Sequence, residues 1–348
     1  MRVLQLIALI ALAASVATES DARVLAADHK QTKRSLRQYD PEELGEVNSK
    51  NEERVSTGII DDVVTKAGGL VDDVMGKVDD VAGKAGQAGK ASSKLKELVT
   101  KNMGKLEDMA AHSSLVERLS GRYKYADKLS LSALKQLDEI EKVRLVDIEK
   151  GIKGTKTTAN GMRRDITTFE GMKTAPKKYL ESHVGRNQQR FGKDGSRLLS
   201  ANVVTRLNEK GEKQILLISS SNPKKGDFLL PKGGWDKGEN IKKAALREVI
   251  EEGGVGGQLA HGLGKVKLQE GTDKYTYYAY LMKSSTVYDD WSESIRYRLW
   301  VSMDDAMEML AGRPQMAEVV RRAKHVDDKI AAGTLPELNA GLAKVKLD

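Results

Sequence analysis

Apolar and polar positions follow different rhythms along the chain, and each rhythm predicts an element. Met1-Arg2 opens onto a mostly apolar run from Val3 to Ala14, followed by the small residues Ser15-Val16-Ala17. That run is about 12 residues, too short for a bilayer, which needs about 20. Its order predicts a secretory signal peptide over 1–17, cut near Ala17 or Ser20. No other segment approaches the apolar length of a membrane span, so no transmembrane segment is expected. Residues 18–54 are polar, charged and low in aromatics, the composition of a disordered arm.

From Val55 to about Arg186 apolar residues recur at three- and four-residue spacing, which predicts a helical region over 55–185. It contains a repeat. Val71 to Lys77 is followed directly by the related Val78 to Lys84, and Ile60 to Lys66 precedes them with four extra residues, Ala67 to Leu70. Heptads with a four-residue stutter suit an amphipathic helix. The paired aspartates lack calcium-loop spacing and read as its solvated face. Glycines 68, 69, 76, 83 and 86 weaken that helix. A denser pattern from Leu129 to Ile148 predicts one or two better helices, with Tyr123, Tyr125 and Tyr179 as core or interface aromatics. Further on, Ala201–Leu207, Gln214–Ser220 and Tyr275–Met282 read as strands, the first two joined by the turn-like Asn208 to Gly211. Met303–Leu310 and Pro314–Ile330 read as helices. A tail over 331–348 closes the chain.

Composition narrows the chemistry. The 348 residues are 39% hydrophobic, carry a net charge of +8 and include no cysteine. A disulfide scaffold, a thiolate zinc site and a cysteine nucleophile are excluded. Five histidines lie scattered without metal-ligand spacing. A charge of this size does not by itself argue for nucleic acid, and none is expected as a partner. Carboxylate and metal chemistry remains. A secreted chain without cysteine also suits a final destination that is reducing.

The specific signal lies between Gly233 and Val255. Gly233, Glu239 and Arg247-Glu248-Val249-Ile250-Glu251-Glu252-Gly253-Gly254-Val255 form the pattern G-x5-E-x7-R-E-U-x-E-E-x-G-U, with U aliphatic. Seven specified identities arise by chance about once in 10^8 positions at average usage. Good helix formers fill 241–252, Asn240 suits an N-cap and Gly253-Gly254 a stop. Glu248, Glu251 and Glu252 then stand at i, i+3 and i+4 on one face. Their mutual repulsion is relieved if a divalent cation neutralises them, and oxygen ligands select Mg²⁺ or Mn²⁺. The other face, with Ala244, Ala245 and Val249, can pack on a sheet.

This pattern is the Nudix box, and residues 186–330 resemble a Nudix hydrolase domain. The resemblance implies an α/β fold, the Nudix α/β/α sandwich around a mixed sheet, and metal-dependent hydrolysis of a diphosphate linkage. It implies Glu248 and Glu252 as main metal ligands and Glu251 as a further ligand or base. Arg247, reaching back toward Glu239 or Glu251, would orient the carboxylates by charge-assisted hydrogen bonds, and Gly233 would allow a tight loop beside them. Within the superfamily, Ile215 to Ser221, Leu230-Pro231-Lys232-Gly233-Gly234-Trp235, Tyr275 to Tyr280, Asp289-Asp290-Trp291 and Arg296-x-Arg298-x-Trp300 resemble diphosphoinositol polyphosphate phosphohydrolases. That match implies inositol pyrophosphates or dinucleoside polyphosphates as substrates, with Arg197, Lys232, Lys274, Arg296 and Arg298 binding phosphate. ADP-ribose or NADH is the competing substrate class, and messenger cap hydrolysis a third. Near the start, Arg34-Ser35-Leu36-Arg37, an acidic stretch and Glu52-Glu53-Arg54 resemble the leader of oomycete RxLR effectors. That resemblance makes 18–54 a translocation leader, with Arg34, Leu36, Arg37, Glu52, Glu53 and Arg54 as its motif. It implies secretion and entry into the host cell, to the cytoplasm and nucleus. A non-catalytic adaptor, binding a host plant protein through 55–185, is the alternative function.

Overall fold

The computed structural model describes residues 104–105, 107–149, 155–158, 161–164, 168–180, 187–222 and 225–347. All belong to one unit, Ile59–Asp348. The signal peptide, the leader motif and the heptads of 60–84 lie outside the described residues.

The sheet is organised by a strand buried on both faces. In β3 (Arg197–Leu207) Leu199, Ala201 and Val203 join one core and Val204 another. Two-sided burial is the pattern of a central strand. β3 lies between β4 (Lys213–Ser219) and β8 (Asp273–Val287), antiparallel to the first and parallel to the second. Beyond β8 runs β7 (Val255–Glu270). Short strands finish the sheet: β5 (Phe228–Leu229) and β9 (Arg298–Val301) on β4, and β6 (Lys232–Gly234) on β3. One face is covered by α3 (Ile241–Gly253), whose Ala245, Leu246 and Val249 pack with Val204, Leu216, Ile218 and Met282. The other face carries α4 (Met303–Met309) and α5 (Pro314–Ala331), through Met303, Met316, Val319 and Val320. The fold is an α/β/α sandwich around a mixed sheet.

The second face is shared with residues that precede the domain. Helix α1 over 107–120 and helix α2 (Leu131–Glu149) bury Leu115, Val116, Leu119, Leu134 and Leu137 in the same core as Ile215, Leu217 and Leu299. The Gln136 side chain donates to the Trp300 carbonyl (2.7 Å) and accepts from the Trp300 amide (3.1 Å). It thereby takes the place of a neighbouring strand on β9, whose backbone groups would otherwise lack a partner inside the protein. Asp305 receives the Ser130 amide (2.7 Å) and hydroxyl (2.8 Å), tying the start of α2 to α4. A boundary at 185/186 therefore does not separate two cores: helices within 107–149 contribute buried side chains to the sandwich's core. The region 55–185 is also not helical throughout, because Thr155–Thr158 (β1) and Gly161–Arg164 (β2) form an antiparallel hairpin.

Two further elements differ from the sequence expectation. β7 went unread because its glycines interrupt alternation. The structure accommodates them as register shifts at Gly256/Gly257, Leu259/His261 and Gly262/Gly264, with Gly264 at φ +84. Such bulges let a strand keep pairing while it bends. The segment after α5 also packs onto β7. Asn339 donates its amide to Ala260 (2.9 Å), Gln258 donates to Ala343 (3.0 Å), and Leu342 of α6 (Ala340–Ala343) packs against the α3-side core. No helix among the described residues is long and apolar enough to cross a membrane.

Candidate active site

The site is built by the turn from β6 into α3. Asn240 caps α3, its side chain accepting the Lys242 amide at 2.9 Å. Gly254 ends it in the left-handed region at φ +60, its amide bonding back to Ile250. A side chain at Gly254 would also run into the Trp291 ring. Both demands select glycine. α3 therefore starts and stops where local chemistry dictates, and this sets the rotational position of its glutamates.

Arg247, Glu248, Glu251 and Glu252 are all buried. Arg247 is the hub. Its Nη1 donates to Glu248 (2.8 Å) and Glu251 (3.2 Å), its Nη2 to Glu239 (2.7 Å) and the Gly234 carbonyl (2.9 Å), and its Nε to Glu239 (3.2 Å). Glu239 is itself held by the Asp236 amide at 3.0 Å. Glu252 is gripped separately, accepting the Lys232 amide (2.7 Å) and Arg296 Nη2 (3.0 Å). Arg296 also bonds Glu293 (2.6 Å) and the Ser219 carbonyl (3.0 Å). Two buried guanidinium groups thus hold the carboxylates: Arg247, as the sequence led one to expect, and Arg296, which the resemblance had placed on phosphate. An arginine fork can serve several acceptors at fixed angles, which suits it to this task.

Burial pushes the Glu248 carboxyl well above the usual range; Arg247 opposes this, and the charges of Glu251 and Glu252 add to it. Burial likewise raises Glu251 to about 7 against the pull of Arg247. Glu293 is raised by burial too, with Glu252 adding to the effect. Glu293 was not anticipated; its three-residue spacing from Arg296 was the available signal. Gly233 pairs with Ser200 in the ladder, and a Cβ there would fall inside the Glu248 carboxylate. The missing side chain is therefore a cradle for that carboxylate.

The donor chemistry fits a hard divalent ion: three carboxylates on one helix face, the charges of Glu251 and Glu252 raising the proton affinity of Glu248, with oxygen as the only donor atom. As the side chains stand, no three acidic or histidine groups among the described residues converge on one point. Arg247, Arg296 and the Lys232 amide take up their oxygens instead.

A cavity of about 830 Å³ opens beside β6, lined by Arg197, Lys232, Tyr275, Tyr277, Arg313 and Met316 among others. Lys232 belongs to both places, since its backbone holds Glu252. Of the cations assigned to phosphate, Arg197 and Lys232 line this cavity and Arg296 sits among the carboxylates. Lys274 is exposed on the ladder next to the β7–β8 turn, opposite Gln269 and outside the lining. Arg298 is also outside it. Its Nη1 donates to the carbonyls of Tyr288 (2.7 Å) and Gly254 (3.2 Å), and its guanidinium lies over the Trp291 ring at 4.2 Å. Burial lowers its pKa to about 10. Arg298 fastens the end of α3 to the loop after β8.

Comparison with known proteins agrees with this architecture. The NUDIX domain matches residues 196–323. Arabidopsis thaliana Nudix hydrolase 21, chloroplastic, is 42% identical over 135 residues, covering 37% of this chain and 68% of that protein. Bos taurus diphosphoinositol polyphosphate phosphohydrolase 3-beta is 35% identical over 118 residues, covering 32% and 70%. A buried Arg–Glu hub on a capped helix, set in this sandwich, belongs with them, and the chain is a Nudix hydrolase. A Phytophthora infestans RxLR effector protein is 71% identical over 270 residues, covering 73% of this chain and all of that protein. The chain is thus an RxLR effector carrying a Nudix domain, of a kind secreted and delivered into host cells.

The cradle at Gly233 gives a sharp expectation. In Gly233→Ala the new methyl and the Glu248 carboxylate compete for one space. Overpacking of this kind costs about 1–3 kcal/mol, and a displacement near 1 Å at a reacting centre costs about 10²-fold in rate. Both thermal stability and kcat should fall, and an unchanged kcat would remove the cradle role.

Proposed function

We propose that this effector hydrolyses a phosphoric anhydride in a polyphosphorylated small molecule, with inositol pyrophosphates or dinucleoside polyphosphates favoured, and so perturbs host immunity or signalling from the host cytoplasm and nucleus. The observation that carries this reading is the junction at Lys232, where a buried carboxylate cluster meets a cavity with cationic walls. Such walls suit a substrate with more negative charge than the anhydride alone. The likeness to a diphosphoinositol polyphosphate phosphohydrolase supports the same substrate class.

Nudix hydrolases generally use divalent metals such as Mg²⁺ or Mn²⁺; when bound, such an ion neutralises phosphate charge and acidifies the attacking water. Glu248, Glu251 and Glu252 would hold it. Arg247 fixes Glu248 and Glu251 relative to each other, and Arg296 with the Lys232 amide fixes Glu252. Glu251, raised to about 7, is placed to take a proton at a carboxylate oxygen near neutral pH. Arg197 and Lys232 bind the phosphates that are not cleaved. Domains outside the sandwich follow the sequence: signal peptide 1–17 and leader 18–54.

Inositol pyrophosphates, a dinucleoside polyphosphate, ADP-ribose, NADH and capped RNA, each offered with Mg²⁺ or Mn²⁺, test the proposal. The first two should show the highest kcat/KM. Preference for ADP-ribose or NADH would move the substrate assignment, and no metal-dependent turnover of any would overturn the catalytic reading.

A further inference from the structure

The cavity has a wall that the Nudix domain does not supply. Lys124, Tyr125 and Lys128 line it, although the matched domain begins at residue 196. Their position follows from the interleaved core residues. Tyr123, Ala126 and Leu129 are buried, and Tyr123 lies against Phe228 of β5 with ring centroids 6.2 Å apart. The turn between α1 and α2 is therefore held on the sheet by one side of its sequence, while Lys124 and Lys128 on the other side stay exposed.

Charge in the cavity is unbalanced in one direction. Its lining holds five cations (Lys124, Lys128, Arg197, Lys232, Arg313) and three acids (Asp227, Glu270, Glu308). Arg313 is committed to Asp227, and Lys128 approaches Glu308 at 3.5 Å. Among the described residues the side chains of Lys124 and Lys232 make no ion pair. Among the described residues the Tyr125 hydroxyl, a buried polar atom, has no hydrogen-bond partner. In one lining, Lys124 and Lys232 without an ion pair and a hydroxyl without a hydrogen bond match a ligand with several phosphates, since each phosphate accepts from more than one donor.

We infer that Lys124, Tyr125 and Lys128 are specificity determinants, binding the phosphates of a polyphosphorylated substrate that lie away from the cleaved anhydride. This rests on the hydrolase reading above and adds a role for the pre-domain segment, which becomes part of the substrate site. A ligand with only two phosphates does not need this wall.

Binding of inositol hexakisphosphate, which has no anhydride to cleave, tests the inference by calorimetry on the full chain in metal-free buffer. The wild type should bind it. Lys124→Ala with Lys128→Ala should weaken binding about tenfold, the loss expected for charge-assisted hydrogen bonds. Lys124→Arg with Lys128→Arg should retain it. Tyr125→Phe should weaken it by less, and ADP-ribose affinity should not change in any variant. Equal hexakisphosphate affinity in wild type and the double alanine variant, or no binding to the wild type, would overturn the inference. Failure of the hydrolase reading would appear separately, as absent turnover in the substrate panel with lysine-dependent binding intact.

Discussion

Glu251→Gln combined with Glu252→Gln should abolish turnover while leaving the protein folded. Glutamine keeps the shape of each side chain but neither takes a proton from water nor offers a charged oxygen to a hard cation. Loss of a positioned base alone costs about 10²–10⁴-fold, and weakened metal ligation lowers the rate further. The fold should survive because each arginine keeps another carboxylate: Arg247 retains Glu239 and Glu248, and Arg296 retains Glu293. Removing two of several mutually repelling buried charges also relieves strain that burial imposes. Steady-state kinetics with circular dichroism on the same preparation reads both effects. A kcat close to that of the wild type would remove the site assignment.

Arg247→Ala should do the opposite, striking stability first. It deletes a group that touches Glu239, Glu248 and Glu251 together, and leaves these carboxylates in a poorly hydrated place. Breaking a buried charge pair from one side costs about 3–5 kcal/mol, which in a domain of this size lowers Tm by roughly 6–20 °C. Arg247→Lys should recover only part of this, because a single ammonium cannot reproduce contacts made by Nε, Nη1 and Nη2 to different partners. Thermal unfolding of the three proteins tests the hub. A Tm for Arg247→Ala within 2 °C or so of wild type would show that the carboxylates are stabilised some other way.

Some of this molecule was legible before any coordinates. α3 was bounded within a residue by Asn240 and the paired glycines, because caps act within one turn. β3, β4, β8, α4 and α5 also follow from local alternation or helical spacing. β7 did not, since its glycines erase the alternating signal and only pairing with β8 reveals a bulged strand. Arg298 illustrates a different failure. The resemblance implied phosphate binding, but its partners are the Tyr288 and Gly254 carbonyls and the Trp291 ring, which only the fold brings near.

The same division holds for function. By itself the sequence determined which carboxylates share a helix face, because a period of 3.6 residues converts spacing into direction, and its resemblance to the Nudix box implied their chemistry. Tertiary structure decided what neutralises those carboxylates in the folded chain, with Arg296 brought to Glu252 across the loop after β8. It also decided that residues 107–149 share the core on the α4 and α5 side of the sheet and that Lys124 and Lys128 reach the cavity. These are meetings between residues distant in the chain. They depend on how faces pack rather than on any local pattern, so no motif announces them.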